Sequence, residues 1–136
     1  MDWNECVKER IVKNVKEAKN LIRSTKEIAE IKIKSAKFLS EDLFIGKICL
    51  LYDALREYLE SLALENGYKI YNHECYVAFL RENLNKPREA EEFDKLRKIR
   101  NAINYYGRKV SKEEADEIIK NLLRLIEKIK SLINQK

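Results

Sequence analysis

Glycine and proline are nearly missing from this chain, with three and one in 136 residues. So few turn formers permit few connections, and the regular elements must be few and long; the composition is helical. Cysteine occurs only as Cys6, Cys49 and Cys75. Their odd number and wide spacing argue against a disulfide framework, and no Cys-x-x-Cys or Cys/His pairing suggests zinc. Reduced thiols in the cytoplasm, with no metal and no cofactor, are the expectation. No apolar run approaches the ~18 residues of a membrane span. The acidic start Met1-Asp2-Trp3-Asn4-Glu5 is unlike a signal peptide. A glycine-rich phosphate loop, a His-Glu-x-x-His helix and a nucleophile elbow are all absent, and so are internal repeats, low-complexity tracts and linkers.

What is present suits one helical domain spanning residues 1–136, large enough to bury a core unaided. Hydrophobic residues make up 45% and charged residues 38%, a globular balance with a heavily solvated surface. The net charge of +5 is unevenly placed. Residues 1–40 carry a net +4, residues 41–84 a net −4, residues 85–110 a net +4 and residues 111–136 a net +1. A modest positive balance permits nucleic-acid binding, although lysines on helices are also an ordinary solvated face.

Asp2 and Glu5 have capping-box spacing and predict a helix from Trp3. Val7, Ile11, Val12, Val15, Ala18 and Ile22 recur at helical spacing, and the pattern continues through Thr25, Ile28, Ala29, Ala36 and Leu39. Periodicity leaves open one long helix or two with a break near Asn20–Thr25. Ser40, Glu41 and Asp42 suggest the next start. The helix that follows, from Phe44 through Leu62, is apolar over so much of its surface that it should lie centrally. Gly67 fits a left-handed C-cap, with Tyr68 placed to fold back on the last turn. Asn72 caps a short helix through about Asn83, and His73, the only histidine, sits in its first turn. Pro87 opens another helix, which Gly107 ends. Ser111 and Glu114 form a second capping box before a strongly amphipathic last helix. The expected fold is all-α, an up-and-down bundle of four to five helices.

One stretch breaks the scaffold pattern. In Arg100-Asn101-Ala102-Ile103-Asn104-Tyr105-Tyr106-Gly107, Arg100 falls inside the stripe of Phe93, Leu96 and Ile103. Asn104 follows one turn later, and Arg97 and Asn101 extend the polar arc. A desolvated guanidinium needs a partner. Either Asp53 or Glu57 of the central helix supplies it, or a cleft open to a phosphate does, since arginine's planar fork matches phosphate oxygens. Tyr105 and Tyr106 are packing aromatics or stacking surfaces for RNA bases, and at most one shares the Arg100 side.

The Arg100-Asn101 pair late in a helix, followed by a glycine and a final amphipathic helix, resembles the HEPN (higher eukaryotes and prokaryotes nucleotide-binding) domain. The stretch Tyr52-Asp53-Ala54-Leu55-Arg56-Glu57-Tyr58-Leu59-Glu60 through Gly67-Tyr68-Lys69 is similar to that family, as is Asn72-His73-Glu74. The resemblance covers about residues 35–134 and leaves residues 1–35 as an N-terminal helical extension. It implies an up-and-down bundle that commonly dimerises. In the family, Arg-x(4–6)-His motifs from two protomers meet in an interface cleft and cut RNA. Other members partner a minimal nucleotidyltransferase in toxin–antitoxin modules or act as non-catalytic binding domains.

The motif arginine and its polar neighbour carry over onto Arg100 and Asn101; the histidine does not. Positions five, six and seven after Arg100 are Tyr105, Tyr106 and Gly107, and counting from Arg97 gives Ala102, Ile103 and Asn104. The imidazole best matched to proton transfer near neutral pH is therefore missing from the motif. The resemblance then implies a homodimer, non-catalytic or weakly active, that binds RNA, a nucleotide or a nucleotidyltransferase. Its binding residues would be Arg97, Arg100, Asn101, Asn104, Tyr105 and His73. The alternatives are a divergent metal-independent endoribonuclease, using Arg100 with Asn104 and Tyr105, and a structural helical adaptor.

Overall fold

The computed structural model describes residues 1–16 and 18–133; the outer limit of the family resemblance, residue 134, lies outside them. The chain runs through α1 (Trp3–Lys8), β1 (Val12–Asn14), α2 (Lys19–Phe38), α3 (Phe44–Glu65), β2 (Tyr68–Ile70), α4 (His73–Ala78), α5 (Pro87–Tyr106) and α6 (Lys112–Leu132). After Ala78 the backbone widens into a π-helical turn over Phe79–Asn83. The architecture is the expected all-α bundle. Four helices are long, and two have six residues each.

Local capping explains most of the boundaries. The Asp2 carboxylate accepts from the Glu5 N–H, Asn72 Oδ1 from the Glu74 N–H, and Ser111 Oγ from the Glu114 N–H. Pro87 occupies the first turn of α5, and Gly107, at φ 62°, ends it. Helix α3 starts at Phe44, two residues after the Ser40–Asp42 stretch that the sequence suggested. Ser40 and Asp42 hydrogen-bond each other, and Leu43 takes the N-cap without a side-chain bond.

Helix α3 lies at the centre, as its apolar circumference requires. It buries residues on all sides, among them Ile48, Tyr52, Leu55, Leu59 and Leu62. Helices α2, α5 and α6 and strand β2 all pack against it. Thr25 of α2 hydrogen-bonds Ser61, and Lys32 bonds Glu57, so α2 and α3 run antiparallel. One contiguous core extends from Cys6 to Ile133.

The first 39 residues differ from both readings of their periodicity. Helix α1 stops after Lys8, where Arg10 adopts φ 61° and the Ile11 N–H turns back to the Cys6 carbonyl at 3.0 Å. Residues 12–14 then form β1, antiparallel to β2, with Val12 opposite Ile70 and Asn14 opposite Tyr68. Burial of Val12 and Ile70 holds the pair to the core. Gly67, at φ 90°, caps α3 as expected. Tyr68 enters β2 and meets Trp3 edge-on at 5.0 Å.

The expectation of three reduced thiols is also corrected. Buried Cys6 and Cys75 form a disulfide that ties α1 to α4, and Cys49 is the free cysteine. The two sulfurs meet because the β1–β2 pairing carries the N-terminal segment back across the start of α4, a juxtaposition that spacing along the chain does not encode. No helix among the described residues is long and apolar enough to cross a membrane. Thiol titration in denaturant is expected to find one reactive thiol per chain, rising to three after reduction. Three without reduction would contradict the bond.

Candidate functional site around Arg100

Helices α3 and α5 cross antiparallel at the site. The Cys49 thiol donates to Asn104 Oδ1 at 3.5 Å, and one helical turn further along α3, Asp53 faces Arg100. Phe93 and Leu96 anchor the buried stripe of α5, and Arg100 interrupts it half-buried, with 18% of its side chain exposed.

Arg100 is held by rings more than by charge. Its guanidinium lies over the Tyr52 ring at 5.1 Å and near the Tyr105 ring at 5.7 Å. Nη1 donates to the Tyr105 hydroxyl across 3.4 Å, and Nη2 stands 4.0 Å from Asp53 Oδ1. Nε is buried with no hydrogen-bond partner among the described residues. The other carboxylate anticipated as a partner, Glu57, is taken by Lys32 at 2.9 Å and Arg56 at 3.5 Å. Cation–π contacts of this kind contribute about 0.5–2 kcal/mol each, rising with desolvation. They compensate the burial of the charge only in part, because a bidentate carboxylate partner is missing.

His73 reaches the same cluster through Tyr52. Its Nδ1 lies 3.0 Å from the Tyr52 hydroxyl, and the two rings are tilted at 5.8 Å. Burial pushes the imidazole down to about 4, and the positive charges of Arg56 and Arg100 push in the same direction. His73 is therefore neutral near pH 7. Burial likewise raises the Tyr52 phenol, which stays protonated. The Cys49 thiol is raised by burial and by the Asp53 carboxylate, so it is a poor nucleophile here.

The residues singled out from the sequence are only partly brought together. Arg100 and His73 converge on Tyr52, and Tyr105 joins the cluster through Arg100. Tyr105 is the one tyrosine of its pair that shares the Arg100 side, while Tyr106 points away, 84% exposed. Asn104 reaches Cys49 but is exposed, whereas the helical wheel put it on the buried side. Arg97 is committed to Asp94 on its own helix, at 2.8 and 3.1 Å. Asn101 makes no side-chain hydrogen bond among the described residues. Tyr52, the hub, is fully buried on α3. Its hydroxyl was the available signal, since a phenol on a buried face needs a partner.

No family model, curated protein or solved structure matches this chain. Chemistry at the site must therefore be argued from its geometry. A guanidinium flanked by two aromatic rings can hold a phosphate and stack a base. A neutral imidazole one ring away can accept a proton. Among the described residues, no group of three or more His, Cys, Asp or Glu is placed to hold a metal ion.

As the only histidine, His73 gives one unambiguous imidazole proton signal, and its titration midpoint is expected near 4 in the folded chain. Its folded pKa lies below the unfolded value of about 6.5, so the unfolded chain binds the extra proton between those limits. The contribution of neutral His73 to stability is complete above about pH 6.5 and is lost as the pH falls toward 4. His73→Gln should flatten that part of the stability profile. A midpoint near 6.5 would contradict its burial beside the two arginines.

Proposed function

We propose that this chain is a HEPN-like binding domain whose Arg100 site takes the phosphate of single-stranded RNA or of a nucleotide. One observation carries the proposal: Arg100 is half-buried between Tyr52 and Tyr105, with its carboxylate 4.0 Å away and its Nε without a hydrogen-bond partner among the described residues. A phosphate oxygen at the guanidinium would supply the charge-assisted hydrogen bonds that Asp53 does not. Tyr105, 68% exposed, offers a ring face on which a base can stack. Arg56 and Arg97 add positive potential around the cluster. In this reading the protein acts as a homodimer, with little or no catalysis of its own, in a toxin–antitoxin type of module whose other member is a minimal nucleotidyltransferase.

Single-stranded RNA binding should weaken by about 10- to 100-fold in Arg100→Ala, the loss of one charge-assisted contact, with a shallower dependence on salt. Tyr105→Ala should cost about 1–3 kcal/mol of stacking. Unchanged affinity and an unchanged salt slope in Arg100→Ala would remove the site from the account, leaving a structural adaptor.

A second reading, a metal-independent endoribonuclease, is favoured by the link from His73 through Tyr52 to Arg100. Neutral His73 would accept the 2′-hydroxyl proton while Arg100 stabilised the charge developing on phosphorus. Cleavage of RNA by the pure protein should then vanish in both His73→Ala and Arg100→Ala. Activity that survives either change belongs to a contaminant.

A further inference from the structure

On another face of α3, α2 and α6 both pack along it and leave a groove of about 860 Å³ between them. Its floor is apolar, built from Ile22 of α2, Tyr58 of α3 and Ile133 after α6, with Ile31 of α2 at the edge. A polar brace crosses the floor. The Tyr58 hydroxyl donates to Glu30, Lys130 Nζ reaches the same carboxylate at 3.0 Å, and Lys130 lies 5.5 Å from the Tyr58 ring centre. That brace joins three helices, so the groove is rigid and its central charges cancel.

The charges on the rim do not cancel. Lys19, Arg23, Lys26 and Lys34 line one wall, opposed by Glu27 and, near Lys34, by the Glu30 that Lys130 already holds. None of the four makes an ion pair among the described residues. Ile31 stands 61% exposed at the edge, where it extends the apolar floor outward. The wall runs from Lys19 to Lys34, about 22 Å at the helical rise, which matches an occupant of roughly 15 helical residues.

We infer that this groove docks an amphipathic helix from a partner protein, one whose apolar stripe is flanked by Asp and Glu. Apolar anchors at helical spacing would pack on Ile22 and Ile31, and acidic flanks would meet the lysine–arginine wall. Charge complementarity selects this occupant. A second copy of the groove would bring like charges together, which costs specificity and affinity. Single-stranded nucleic acid would find cations but an aliphatic floor, whose single aromatic, Tyr58, is only 2% exposed and offers no stacking face. A lipid surface needs a projecting apolar face, whereas this one is a trench.

The test is a display library of 16-residue helical peptides, panned against the full chain. The expected winners carry apolar residues at i, i+3, i+4 and i+7 with acidic flanks. Their synthetic versions should bind at least tenfold more weakly to Ile31→Glu and to Arg23→Glu/Lys26→Glu, but not to Arg88→Glu on another face. Ile31 and Arg23 are exposed, so these variants should fold, and circular dichroism checks that they do. Failure to enrich any peptide, enrichment without acidic flanks, or affinity indifferent to Ile31→Glu would each overturn the proposal. So would loss, in Ile31→Glu, of binding to a 16-nucleotide single-stranded RNA or to phosphatidylglycerol vesicles, or of self-association in sedimentation, because the groove would then serve that other occupant.

Discussion

The apolar surface of α3 wraps around its axis, and that surface must be covered from several directions at once. Helices α2, α5 and α6 and strand β2 provide the cover. Each residue of α3 buried to near zero exposure, such as Leu55 or Leu59, contributes about 1.5–3 kcal/mol relative to exposure. The two candidate binding places lie where that cover leaves a seam. Arg100 sits at the seam between α3 and α5, and the cationic groove lies at the gap between α2 and α6.

Two tyrosines of α3 mark these places. Tyr52 and Tyr58 project from different sides of the helix, and each buries a ring whose hydroxyl needs a partner. Tyr58 finds Glu30, which Lys130 also holds, and the result is a closed brace. Tyr52 finds His73 and carries Arg100 above its ring, but the arginine's carboxylate partner is distant. The two nodes use the same chemistry and differ in completeness. A satisfied node stiffens a bundle, whereas an unsatisfied one is where a ligand can add hydrogen bonds that the protein lacks.

Much of this was legible in local sequence. Caps at Asp2, Asn72 and Ser111, proline at Pro87 and left-handed glycines at Gly67 and Gly107 act over three or four residues, so their signals survive without tertiary knowledge. The interruption of a buried stripe by Arg100 was equally local. The end of α1 was hidden because Arg10 takes a left-handed conformation without the glycine that would announce it. Strand β1 escaped notice because three residues show no period, and its partner lies more than fifty positions away. The Cys6–Cys75 bond depends on that same pairing. His73 joined the site only through Tyr52, a contact set by how α4 is laid against α3.

On the proposed reading, Arg100 is held in place for a ligand and not to hold the fold together. A double-mutant cycle on unfolding free energy, combining Arg100→Met with Asp53→Asn, tests it directly. A pair 4.0 Å apart, with Asp53 35% and Arg100 18% exposed, should show a coupling below about 0.5 kcal/mol. A coupling of about 2 kcal/mol or more would make Arg100–Asp53 a structural ion pair, and the site would lose its purpose.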